Sequence, residues 1–227
     1  MSRAAHSLSP GRKVPPVLRA LDGFYGTPRR QTGDPLDVLI RGVLSQNTSD
    51  VNSGRAFQSL MERFGDWEYV AGASRAAIAR AIRAGGLADQ KSATVKAIMT
   101  WLGKRGSGYS LDFLRVADND EIERQLTAFN GVGIKTARLV LLFGFDRPVF
   151  VVDTHVHRVS KRLGLIPAGC DRIKAHTVLD GLIPNEDKHS GHLLLITHGR
   201  RICKSQRPRC DGCPVRRWCL YVRTAAT

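Results

Sequence analysis

No apolar stretch in this 227-residue chain approaches the roughly 18 residues that a membrane span requires. The longest run, Leu139 to Phe145, is interrupted by Gly144. The opening residues, MSRAAHSLSPGRKVPP, hold no apolar segment of the kind a secretory signal needs. The expected address is therefore the reducing cytoplasm or nucleoid, with no membrane association. Alternation of apolar and polar residues is scarce, which argues against a sheet protein. No repeat with a period of about 20–50 residues is evident, which argues against a solenoid. Acidic residues are few. Asp and Glu number 20 against 35 Lys and Arg, giving a formal charge of +15. Such an excess predicts a polyanionic partner, and nucleic acid is the usual one. Hydrophobic residues make up 42% of the chain, enough for a packed core and too many for a disordered chain.

The charge gathers at the two ends. Residues 1–34 carry six basic residues against two acidic ones, and residues 199–227 carry eight against one. The first stretch is rich in Pro, Ser and Gly, and residues 1–14 read as a solvated tail. The second is interleaved with cysteines and reads as folded.

Elsewhere the apolar spacing is helical, so an all-α fold is expected. Asp34-Pro35 opens a helix with an Asp cap and Pro at the first helical position. Ser49 or Asp50, Ser74 and Asn119 or Asp120 open others, and residues 90–103 form one more. A helix follows Gly133, another follows Asp153, and at least two lie between about residues 172 and 199.

Few cysteines are present, but four of the five are clustered. Cys203, Cys210, Cys213 and Cys219 are separated by six, two and five residues. In a reducing compartment such a group reads as metal ligands rather than disulfides. The wide outer spacings suit an iron–sulfur cube held by four thiolates. Zinc is the alternative, although zinc sites usually use two short Cys pairs. Cys170 stands apart and reads as a structural thiol. Lys204, Arg207 and Arg209 fall in the loop between the first two ligands, where a metal-pinned basic segment would meet phosphate.

Residues 129–137 read Phe-Asn-Gly-Val-Gly-Ile-Lys-Thr-Ala. Gly131, Val132 and Gly133 make a tight turn between two helices, and both glycines can take positive φ. Backbone N–H groups at the following helix start would favour a phosphate. Lys135 sits in the first helical turn, where the positive end of the dipole favours its neutral, nucleophilic amine. Asp153, 18 residues later, reads as a helix N-cap and as a fixed carboxylate. An amine facing that carboxylate across a cleft would suit Schiff-base chemistry at a sugar C1′.

Gly-Val-Gly-Ile-Lys-Thr-Ala, Val-Asp-Thr-His-Val-His-Arg-Val, and His-Gly-Arg-Arg-Ile-Cys with this cysteine spacing resemble the helix-hairpin-helix DNA glycosylases of the endonuclease III family, over roughly residues 34–220. The resemblance implies two helical lobes with a DNA-binding cleft between them. Residues 35–147 would form a six-helix barrel containing the hairpin. Residues 1–34 would be a tail and a helix packing with the C-terminal lobe, 148–227, which holds a [4Fe-4S] cluster on the four cysteines. It implies a monomeric glycosylase and abasic-site lyase that excises oxidised pyrimidines from double-stranded DNA. Lys135 matches the nucleophile and Asp153 the catalytic carboxylate. Gln46 matches the residue that fills the hole left by a flipped base, Leu87 the wedge beside it, and Lys91 a lysine near the DNA backbone. Gly42 stands where the adenine glycosylases of the superfamily place a glutamate. Phe129-Asn130 and Ile134 depart from the family's usual Leu-Pro and Arg, which bears on the lesion rather than on the chemistry. Alternatives are a glycosylase of mismatched thymine or pyrimidine dimers, a non-catalytic DNA-structure binder, and a zinc-stabilised regulator.

Overall fold

The computed structural model describes residues 8–106 and 108–224. Its regular elements are all helical, in keeping with the expected class. They divide into two compact units. One runs from Thr32 to Arg147. The other joins the chain up to Gln31 to the chain from Pro148 onward.

The helices are α1 (Pro10–Tyr25), α2 (Pro35–Leu44), α3 (Asp50–Phe64), α4 (Trp67–Gly72), α5 (Arg75–Ala81), α6 (Ala88–Gly103), α7 (Asn119–Thr127), α8 (Ile134–Leu139), α9 (Thr154–Leu163), α10 (Arg172–Leu182), α11 (Lys188–Arg201) and α12 (Leu220–Thr224). In the unit spanning residues 32–147, local chemistry sets the starts. Asp34 accepts the N–H groups of Leu36 and Asp37, with Pro35 at the first helical position. Ser49, Asp66, Ser74 and Asp118 cap α3, α4, α5 and α7 through side-chain oxygens. Each such cap stabilises its helix by about 1 kcal/mol. The apolar stripes Leu36, Leu39, Ile40 of α2 and Val95, Ile98, Met99 of α6 are buried in this unit's core. After α8 the helix widens into one π turn, Val140–Gly144. Gly42 is required where α2 passes α8, because a Cβ there would lie 2.7 Å from Thr136 Cγ2.

In the other unit the expectation for residues 1–14 is corrected. Residues 1–7 lie outside the described residues, but residues 10–14 open α1 and are not a tail. Val14, Val17 and Leu21 are buried in this unit's core. Lys13 is buried too, and its Nζ donates to the Leu163 carbonyl at the end of α9, 3.1 Å away. Pro15 and Pro16 lie inside α1 and forgo two intrahelical hydrogen bonds. Tertiary burial holds this helix rather than local propensity.

Candidate active site and cysteine centre

The hairpin is built by three constraints within one unit. Gly131 takes φ 89°, and a Cβ on it would lie 2.6 Å from Thr94 Oγ1. Thr94 Oγ1 donates to the Asn130 carbonyl at 2.8 Å. Gln46 Nε2 donates to the Gly131 carbonyl at 2.6 Å. Gly133 departs from the expectation of positive φ. It is extended, at φ −97°, and serves as the N-cap of α8. A Cβ on Gly133 would meet nothing within 4 Å, so its exposed face is open. Val132 turns its side chain inward at 5% exposure, and its N–H donates to the Phe129 carbonyl. It anchors the turn, and any ligand contact it makes is through its backbone. Lys135 is the second residue of α8 and is half-buried. No hydrogen bond or ion pair holds its ammonium among the described residues.

Leu87 is the residue before α6 and adopts the left-handed conformation, φ 50° and ψ 38°. That conformation costs a non-glycine residue about 1–2 kcal/mol. Its side chain is nonetheless 47% exposed. A strained leucine displayed to solvent points to a partner rather than to the core.

Lys91 is where the expectation fails. It is 3% exposed, and its Nζ donates to the Leu44 and Gly85 carbonyls, each at 2.7 Å. Burial lowers its pKa from the usual lysine value. An ammonium enclosed by protein carbonyls does not reach a phosphate. Its motif position suggested a DNA contact, and only the tertiary structure reveals the internal one.

Asp153 caps α9, with Oδ1 accepting the Val156 N–H at 2.7 Å, and is 8% exposed. The segment leading to it, from Pro148, lies in no helix and has no strand partner among the described residues. Helices α10 and α11 supply its hydrogen bonds instead. Lys188 Nζ donates to the Pro148 carbonyl, and the Phe150 N–H donates to Asp180. His176 Nδ1 lies 3.4 Å from the Phe150 carbonyl and His192 Nδ1 lies 3.0 Å from the Val151 carbonyl. A carbonyl only accepts, so each of these nitrogens carries the proton. Both histidines and Lys188 are buried. The sequence carried no signal for this mounting, because its members are scattered along two helices.

Cys203, Cys210, Cys213 and Cys219 line one cavity together with Val159, Leu163, Val215 and His198. None is in a disulfide. Burial pushes the Cys213 thiol up to about 11 and raises Cys219 as well. The cavity therefore opposes thiolates at these two positions. Burial likewise lowers His198 to about 4, and its Nε2 lies 3.6 Å from Cys213 Sγ. No three His, Cys, Asp or Glu among the described residues converge as a single ion would need. Beneath the adjoining loop, Arg162 donates to the carbonyls of Lys204 and Ser205, and Arg158 donates to that of Cys203. Lys204, Arg207 and Arg209 thus stand exposed on a loop held from below. Cys170 is buried in the same unit's core and behaves as the structural thiol expected.

Comparison with known proteins adds an independent line. Residues 40–185 match the model of the HhH-GPD superfamily of base excision DNA repair proteins. A protein of Arabidopsis thaliana named as a DNA glycosylase is 41% identical over 75% of this chain, which spans 58% of that protein's length. Endonuclease III of Thermotoga maritima is 35% identical over 84% of each chain. A solved structure of endonuclease III trapped covalently on DNA superposes with TM-score 0.82 at 27% identity, covering 97% of this chain and all of that one.

Proposed function

Because the chain belongs to the HhH-GPD superfamily of base excision DNA repair proteins, we propose that it is a DNA glycosylase and abasic-site lyase acting on oxidised pyrimidines in double-stranded DNA. The observation that carries this reading is Lys135, an amine with no partner among the described residues, in the first turn of α8 two residues after the open face of Gly133. Gly42 argues against the adenine-specific branch, since any side chain there collides with Thr136.

A base stacked in a duplex must first be rotated out, at a cost of a few kcal/mol. The backbone around Gly131 and Gly133 would grip phosphate, as would Lys204, Arg207 and Arg209. Gln46 and Leu87 would fill the vacated stack. The Lys135 amine, giving up a proton with the help of Asp153, attacks C1′, and the base departs with the electrons of the glycosidic bond and takes up a proton. The nitrogen then expels the ring oxygen to form an imine. Loss of a proton from C2′ breaks the C3′–O bond and releases the 3′ phosphate. Asp153 supplies a fixed negative charge while the sugar becomes positive.

Cys203, Cys210, Cys213 and Cys219 would hold a [4Fe-4S] cluster, whose contribution is to cross-link the chain around the basic loop. No redox chemistry is required in excision or β-elimination. Among the described residues no helix is long and apolar enough to cross a membrane. A monomer working in the cytoplasm or nucleoid, where its DNA lies, completes the reading.

The test is incubation with duplex DNA containing an oxidised pyrimidine, with and without borohydride. Base release, strand cleavage and a trapped covalent complex are expected. Base release without trapping would reduce the protein to a monofunctional glycosylase. Binding without release from any of a panel of lesions, mismatched thymine and pyrimidine dimers included, would make it a DNA-structure binder.

The basic loop gives a separate expectation. Replacing Arg207 and Arg209 together by Ala should lower the log–log salt slope of binding by about 1.8, or about 0.9 for each phosphate contact. Affinity should fall alike for damaged and undamaged duplexes. A loss confined to damaged DNA would mean that the loop reads the lesion.

A further inference from the structure

The two loops proposed to enter the DNA meet at one buried atom. Leu44 is the last residue of α2, two positions before Gln46, and its carbonyl accepts Lys91 Nζ at 2.7 Å. Gly85 stands two positions before Leu87, and its carbonyl accepts the same nitrogen at 2.7 Å. Both carbonyls end helical turns, where the backbone dipole is negative and favours a cation. The Lys91 backbone N–H donates to the Leu87 carbonyl, so the wedge is tied to Lys91 by main chain as well. Little slack remains, because a Cβ on Gly85 would already lie 3.1 Å from the Ala56 Cβ of α3. An apolar side chain of equal length would fill this space without the cost of burying a charge. What an apolar side chain lacks, and a nitrogen with several N–H donors supplies, is a single point that binds two carbonyls from separate loops.

We propose that Lys91 is a positioning residue that locks the Gln46 loop to the Leu87 loop, so that filler and wedge enter the base stack as one rigid unit. The inference rests on the reading of Gln46 and Leu87 as the residues that open the stack. Lys91 touches no substrate and acts only through them.

The test is a double-mutant cycle on single-turnover excision from duplex DNA, using Lys91→Met, Leu87→Ala and the pair. 2-Aminopurine beside the lesion reports unstacking. Lys91→Met is expected to slow unstacking and excision about tenfold, or about 1.4 kcal/mol, with little change in the dissociation constant. In the Leu87→Ala background the further loss should be under about twofold, because residues acting as a unit are not additive. Excision from a single-stranded substrate, which has no stack to open, should stay near the wild-type rate in Lys91→Met. Lys91→Gln keeps a donor and should recover part of the rate. Should Lys91→Met fail to fold, Lys91→Gln carries the same cycle. Equal slowing in both backgrounds would overturn the strut while leaving Leu87 as the wedge. A Leu87→Ala protein as fast as wild type would overturn the wedge assignment, and the strut with it.

Discussion

Lys135→Gln is expected to bind damaged duplex DNA yet form no borohydride-trapped complex and release no base. An amide cannot become an imine, and the proposed gripping groups are backbone amides and cations elsewhere on the chain. Binding should therefore change little while turnover falls to background, the pattern of a group that acts only in the transition state. Asp153→Asn separates charge from shape. Asn is as good an N-cap as Asp, so α9 should start where it does now and the melting temperature should hold. Base release should slow by on the order of a hundredfold to a thousandfold, about 3–4 kcal/mol, the range for removing one preorganised electrostatic group. Strand cleavage at a pre-formed abasic site should suffer less, because no base has to leave. Unchanged excision with trapping intact in Lys135→Gln would falsify the nucleophile assignment and leave Lys135 as a phosphate contact.

Cys210→Ser should give the second large effect. The wild-type protein should be yellow-brown and contain iron and acid-labile sulfide. The variant should lose the colour and much of its stability. A centre that binds only the folded chain contributes its binding energy to folding. For a chain of this size, a loss of about 3 kcal/mol would lower the melting temperature by about 6–12 °C. Colourless wild-type protein carrying stoichiometric zinc, without sulfide, would defeat the cluster assignment. A Cys210→Ser protein free of iron that melts with wild type would defeat the structural role.

Much of the helical frame was legible because it rests on local chemistry. Asp34-Pro35, Ser49, Ser74 and Asp153 each begin a helix through an oxygen two or three residues from the N–H it accepts. Their signal is contained in a few consecutive residues. A helix within residues 1–34 came from the resemblance alone, and its start at Pro10 was missed because Pro10, Gly11, Pro15 and Pro16 read as breakers, whereas burial of Val14, Val17 and Leu21 holds α1 together. Gly133 showed that glycine permits positive φ without requiring it. Lys91 misled because its place in the family pattern put it near the DNA backbone. Its true partners lie 47 and 6 positions away in sequence, and no periodicity announces a carbonyl. The cysteine cluster stood out through its spacing, which left iron–sulfur and zinc both open, whereas Arg158 and Arg162, which hold the loop from below, had no signature that distinguished them from other arginines.

The non-helical approach to Asp153 carries a consequence for anyone moving this segment elsewhere. The motif Val-Val-Asp-Thr-His looks portable, a short string with a carboxylate at a helix start. Its mounting, however, is written at His176, Asp180, Lys188 and His192, on two helices that follow it in the chain. Transplanting residues 148–163 alone would deliver the carboxylate without the brackets that aim it. The segment's main-chain groups would then seek water or each other. The smallest transferable part of this unit therefore extends through α11, and its essential members include polar side chains that hold the main chain of residues 148–151 rather than Asp153 itself.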